Sequence, residues 1–138
     1  MKKGFSLIEL LIVLAIIGLL TVIVGATFGR AKDEGALVTS ADAVFALANQ
    51  GRTQTISSKD ENVYGVHFEA SKAVLFSGAT YDDESSTNVV VEVHPAVLIS
   101  EIDLAGGGSE VVFDRLTGGT GQFGTTTISL KSDSNKKR

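Results

Sequence analysis

Hydrophobic positions follow three different patterns along this chain. From Leu10 to Gly29 no residue is charged, and Leu, Ile and Val dominate. As a helix rising about 1.5 Å per residue, that stretch covers about 30 Å, the hydrocarbon thickness of a bilayer. It predicts a membrane span. From Asp33 to about Thr55 the apolar residues Leu37, Ala41, Val44, Phe45 and Ala48 recur at helical spacing, with Asp42, Asn49 and Arg52 between them. This predicts an amphipathic continuation and favours one long helix with a soft joint near 29–35. Beyond a polar linker at 57–61 the period shortens to two. Tyr64, Val66 and Phe68 alternate, and Ala73-Val74-Leu75-Phe76 follows a short connection, predicting a β-hairpin. Further strands are predicted at 88–94, 97–104, 110–113 and 125–130, separated by Gly-, Ser-, Thr- or Asp-rich loops at 77–87, 105–109 and 117–124.

One charge interrupts the N-terminal pattern. Glu9 stands inside the apolar stretch that begins at Phe5, behind the basic pair Lys2 and Lys3. An ionised side chain costs about 2.5–3.5 kcal/mol at a bilayer centre, and such residues usually have a partner. Two ordinary readings compete for this segment. One is a cleaved secretory signal, with Val24-Gly25-Ala26 supplying small residues at a cleavage site; the other is a plain signal anchor. A secretory signal expects a shorter apolar core and no acid within it.

The segment MKKGFSLIELLIVLAIIGLL resembles the type III signal of type IV pilins and type II secretion pseudopilins. The resemblance implies that prepilin peptidase, a membrane-embedded aspartyl enzyme, cuts between Gly4 and Phe5 and methylates the new amino terminus at Phe5. Residues 1–4 would be the leader, 5–29 the transmembrane and filament-core helix, and 30–138 an exported domain. Glu9 would then be an assembly residue. Phe5 and Glu9 lie one helical turn apart on one face, so the carboxylate can neutralise an α-ammonium of its own chain or, as the resemblance implies, of a neighbouring subunit. Lys2 and Lys3 are nearly balanced by Arg30 and Lys32, so loop charge alone does not orient the span. The resemblance places the C-terminal domain outside a single-pass inner-membrane anchor, destined for the pilus or pseudopilus. Its implied partners are prepilin peptidase, other pilin or pseudopilin subunits, the inner-membrane assembly platform and the lipid bilayer.

The expected fold is α+β. A long N-terminal helix, membrane-spanning in its first half and amphipathic in its second, packs on an antiparallel β-sheet in a pilin-like arrangement. The segment from Val111 to Leu130, where a strand ending at Phe113 leads through Gly118-Gly119 to Ile128-Ser129-Leu130, resembles the end of GspH/FimT-type minor pseudopilins and minor pilins. It implies a structural minor subunit supporting filament assembly and protein secretion. The alternative from that group is a DNA-uptake minor pilin.

Composition narrows the chemistry further. Twelve Lys and Arg against sixteen Asp and Glu give a net charge of −4, which argues against nucleic acid as a partner. The cations available for weak DNA contact are the basic run Lys136, Lys137 and Arg138, with Arg115 and Lys131 nearby. No cysteine is present, so thiolate nucleophiles and Cys-based metal sites are excluded. His67 and His94 lack ligand spacing to other donors and are expected as strand histidines at a surface or interface. Asp82, Asp83 and Glu84 form the densest acidic cluster but lack the alternating calcium-loop pattern, leaving a low-odds calcium site. Gly119-Thr120-Gly121-Gln122-Phe123-Gly124 matches the dinucleotide glycine pattern, yet three threonines follow where a helix is required, so a hairpin loop is expected. Gly106-Gly107-Gly108 lacks the Lys of a phosphate loop. No nucleophile–base pair stands out, so a membrane-anchored exported enzyme ranks last; no catalytic residue, no cofactor and no metal are assigned.

Overall fold

A computed structural model describes residues 6–138 and, within helix 7–56, all side chains except those of 26–28 and 30. Two compact units divide the chain, 1–33 and 34–138. One helix, α1 (Leu7–Ile56), contributes to both. Proline is absent from it, and its interior is rich in Leu, Ile and Ala.

In the second unit α1 is followed by a tight 3₁₀ turn at Lys59–Glu61 and six strands: β1 (Tyr64–Phe68), β2 (Lys72–Ser77), β3 (Val89–Glu92), β4 (Val97–Leu104), β5 (Glu110–Val112) and β6 (Gly124–Leu130). The predicted hairpin forms, with Val66 opposite Leu75 and His67 opposite Val74. The strands divide between two antiparallel sheets, one ordered β3-β2-β1-β5 and one pairing β4 with β6. Pro95, which has no N–H to give a ladder, lies in the turn that separates β3 from β4. The loop at 117–124 therefore joins strands of different sheets, which corrects the hairpin expectation for that segment. Alternation assigns faces to strands; it does not choose their partners.

Helix and sheets share one core. Tyr64, Val66, Phe68, Ala73 and Leu75 face Leu37, Val44 and Leu47, and the second sheet adds Val97, Ile99, Ile128 and Leu130. The buried stripe of α1 runs through Leu37, Ser40, Val44, Leu47, Gly51 and Thr55. Phe45, expected on the packing face, is 71% exposed. The stripe is centred away from it because small and polar residues, silent in a hydrophobicity pattern, allow the closest approach. A Cβ on Gly51 would lie 2.8 Å from Leu75 Cδ1 and 3.3 Å from a Phe113 ring carbon.

Two hydroxyls tie the helix to the strands. Thr55, fully buried, donates to Gly51 O at 2.9 Å and accepts the Tyr64 N–H at 2.9 Å. Ser40 accepts the His94 N–H at 3.1 Å. The outer face of the larger sheet is also covered. Val74 and Phe76 are buried there, with Tyr81 of the 77–87 loop tilted over Phe76 at a centroid distance of 5.6 Å.

Thr55→Val keeps the shape and strands the Tyr64 N–H without its acceptor. It should lower stability by about 1–3 kcal/mol in denaturant unfolding. Gly65→Ala should cost about 1–3 kcal/mol by overpacking, because its Cβ would lie 2.4 Å from Phe76 Cζ and 2.9 Å from the Val111 carbonyl. Unchanged melting of either variant would contradict the packing described.

Candidate functional site

The first unit is chemically simple. Ser6 O accepts the N–H of Glu9 at 3.1 Å and of Leu10 at 3.2 Å, starting the helix. Glu9 lies in the first turn, where a carboxylate is favoured by the helix dipole, and it is exposed. Leu7–Gly25 is a 19-residue stretch of mean hydropathy 3.1, long and apolar enough to cross a membrane, and none of it is buried. Within it the Thr21 hydroxyl donates back into the helix, to Ile17 O at 2.8 Å. A helix apolar around its whole circumference stays out of water only among lipids or other apolar helices. Gly4 and Phe5, the expected processing site, lie outside the described residues, as do Lys2 and Lys3.

In the second unit the expected candidates separate. Within the acidic loop, Asp82 Oδ1 accepts the Glu84 N–H at 3.0 Å. Asp83 Oδ1 accepts the Tyr81 hydroxyl at 2.7 Å and sits 3.6 Å from Lys72 Nζ. Asp82 and Asp83 are thus each engaged with their own chain, and among the described residues no group of three or more His, Asp or Glu is placed to hold a metal ion.

The Tyr81 hydroxyl, then Lys72, hold the Asp83 carboxyl below the usual carboxylate range. The same hydrogen bond raises Tyr81, and Glu69 raises Lys72. Tyr64 is raised by burial and then by Asp60, whose carboxylate accepts its hydroxyl at 3.1 Å.

The two histidines differ. His67 lies flat against Tyr81, with centroids 4.0 Å apart and rings 10° from parallel; its Nδ1 is 3.4 Å from Glu110 and its Nε2 3.8 Å from Glu69. It anchors the covering loop to the sheet. His94, expected in a strand, lies instead beyond the end of β3 in the turn toward Pro95; it is exposed, and its Nδ1 accepts the Ala96 N–H at 3.2 Å.

Of the basic run, the Lys136 ammonium is paired with Glu34 of α1. The Arg138 backbone is bonded both ways to Ile128. A phosphate contact through Lys136 would have to compete with its pairing to Glu34.

The glycine-pattern segment is a loop ending in β6, with no helix to receive a phosphate. Gly106, Gly107 and Gly108 all have positive φ, 88°, 75° and 86°, so this triplet is a turn that other residues rarely adopt.

What the sequence did not reveal is a groove of about 590 Å³ whose walls include Phe45 of α1, Phe68, Leu104, Val111, Phe123 and Arg138. Phe123, like Phe45, is 71% exposed.

A family model described as the prokaryotic N-terminal methylation motif matches residues 1–25. The chain carries the type IV pilin and pseudopilin signal. No curated protein and no solved structure matches it. The matched stretch spans Gly4, Phe5 and Glu9 and takes in the whole unburied apolar segment Leu7–Gly25. The pilin signal and the membrane-length helix therefore coincide.

Asp83 should titrate below the ordinary midpoint near 3.8. Because its folded value is lowered, its contribution to stability is present above that midpoint and is lost as pH falls through the folded value. A side-chain carboxyl NMR titration reads this directly. Tyr81→Phe should move the Asp83 midpoint back upward, and a midpoint that stays put would remove the Tyr81 hydroxyl as its main cause.

Proposed function

We propose that this chain is a structural minor subunit of a type IV pilus or type II secretion pseudopilus, supporting filament assembly and protein secretion. The observation that carries this reading is the coincidence of the methylation motif at 1–25 with an unburied, membrane-length helix bearing an acid in its first turn. Proteins carrying the motif are structural rather than catalytic. The GspH/FimT-like order of elements from Val111 to Leu130 supports the minor-subunit part of the reading.

On this reading prepilin peptidase cuts between Gly4 and Phe5 and N-methylates Phe5. Residues 5–29 anchor the subunit singly in the inner membrane, and 30–138 form the domain exported outside it. Removing the leader creates an α-ammonium next to lipid. Glu9 supplies the opposite charge, and where water is excluded the attraction between them strengthens several-fold over its value in water. Pairing across subunits fixes the axial step between neighbours, so Glu9 sets assembly. The apolar helices bundle in the filament core after handover from the inner-membrane assembly platform, while the exported domain faces neighbouring subunits or cargo.

Mass spectrometry of the N-terminal peptide, from protein made beside its native peptidase, tests this reading. A mature start at N-methylated Phe5 is expected. A start near Thr27 would mean an ordinary secretory signal and would remove the anchor on which the reading depends. Glu9→Leu should be inserted and processed normally but be depleted from sheared filaments, as read by immunoblot. Undiminished incorporation would overturn the role assigned to Glu9. Gly4→Leu should accumulate as uncleaved precursor.

A further inference from the structure

Residues 131–138 return along the outer edge of β6 after a turn in which Asp133 accepts the N–H groups of Asn135 and Lys136. Ile128 N donates to Arg138 O at 2.9 Å, Arg138 N to Ile128 O at 2.8 Å, and Leu130 N to Lys136 O at 3.3 Å. Ser129 and Lys137 stand opposite each other in an antiparallel bridge. The tail thus adds a short third row to the two-stranded sheet.

The two sides of this contact are unequally held. Ile128, Ser129 and Leu130 are 2–4% exposed and belong to buried structure, whereas every residue from 131 to 138 is exposed. The tail buries no side chain of its own. Its first residue is held by the Lys131 N–H to Ala96 O at 2.9 Å; beyond the turn, residues 136–138 are held by three backbone hydrogen bonds to β6 and the exposed ion pair between Lys136 and Glu34. Segments with few buried contacts open locally at far lower cost than the strands beneath them. Left uncovered, the outward N–H and C=O groups of Ile128 and Leu130 would be a template for another extended segment. The tail also places Arg138 on the wall of the groove that holds the exposed Phe45 and Phe123.

We infer that residues 136–138 are a releasable guard over the β6 edge and the adjoining groove, fastened by the Lys136–Glu34 ion pair. Opening the guard bares a strand edge beside an apolar groove without unfolding the core. This inference rests on residues 34–138 and stands whether or not the filament reading holds.

Amide hydrogen exchange of the full chain in detergent micelles tests it. Successive residues of β6 point alternately to the two sides, so Ile128 and Leu130 report on the guard while Thr127 and Ser129, facing β4, report on the sheet. Lys136→Glu should speed exchange at Ile128 and Leu130 about two- to fivefold, the range for losing an exposed ion pair. Thr127 and Ser129 should not change. Exchanging the charges in the double variant Glu34→Lys, Lys136→Glu should restore protection, and deleting 136–138 should abolish it at Ile128 and Leu130 alone. Three outcomes would each overturn the proposal: no acceleration in Lys136→Glu, acceleration shared by Ser129, or failure of the charge exchange to restore protection.

Discussion

The second unit depends on how closely α1 approaches β1 and β2. A helix can approach a sheet only as near as the side chains between them permit. At Gly51 nothing stands between the helix backbone and the side chains of Leu75 and Phe113. One turn later Thr55 turns the approach into a fixed register by bridging Gly51 O to the Tyr64 N–H. The start of β1 is therefore pinned to the end of α1. From β1 the ladder runs outward to β2 and β5, and through β2 to β3, so errors at this junction would propagate across the larger sheet. Apolar burial drives the association, but the small residue and the hydroxyl decide its geometry.

The outer face of the same sheet is organised by polarity. His67 and Phe76 would be open to solvent if the 77–87 loop were removed; Tyr81 lies across both. Its hydroxyl is taken by Asp83, which faces Lys72, which in turn pairs with Glu69 at 3.1 Å. Each link is weak by itself because the groups are partly in water. Their shared result is to keep one aromatic ring over the sheet. Asp83, one of the three acidic residues weighed as a low-odds calcium site, thus helps to close a loop.

How much was legible follows from how far apart the cooperating residues lie. Gly4, Phe5 and Glu9 fall within six consecutive residues, and their pattern can be read without a fold. The strands of the hairpin were legible because Tyr64, Val66 and Phe68 alternate against Ala73 and Leu75 across a short turn. The helical face was read one step off, because Phe45 carries a strong hydrophobic signal and Ser40, Gly51 and Thr55 carry none. The division into two sheets depends on pairing between β4 and β6, which the intervening β5 hides. The groove joins residues from 41 to 138, and no local pattern connects Phe45 with Phe123.

On the proposed filament reading, energetics account for an acid at Glu9, where leucine would be easier to insert. Within a finished helix its carboxylate gains only a modest benefit from the N-terminal dipole, about 0.3–1 kcal/mol when exposed. That does not offset carrying a charge toward hydrocarbon. The balance changes if the residue meets a positive charge only in the assembled state. A lone subunit then bears the cost, an assembled one recovers it, and the difference favours assembly. Leucine would remove the cost and the difference together, so the substitution that makes the monomer more comfortable in lipid also removes the drive to leave that state. On that reading the asymmetry gives a single acid in an otherwise uncharged span a part in assembly and not in stability.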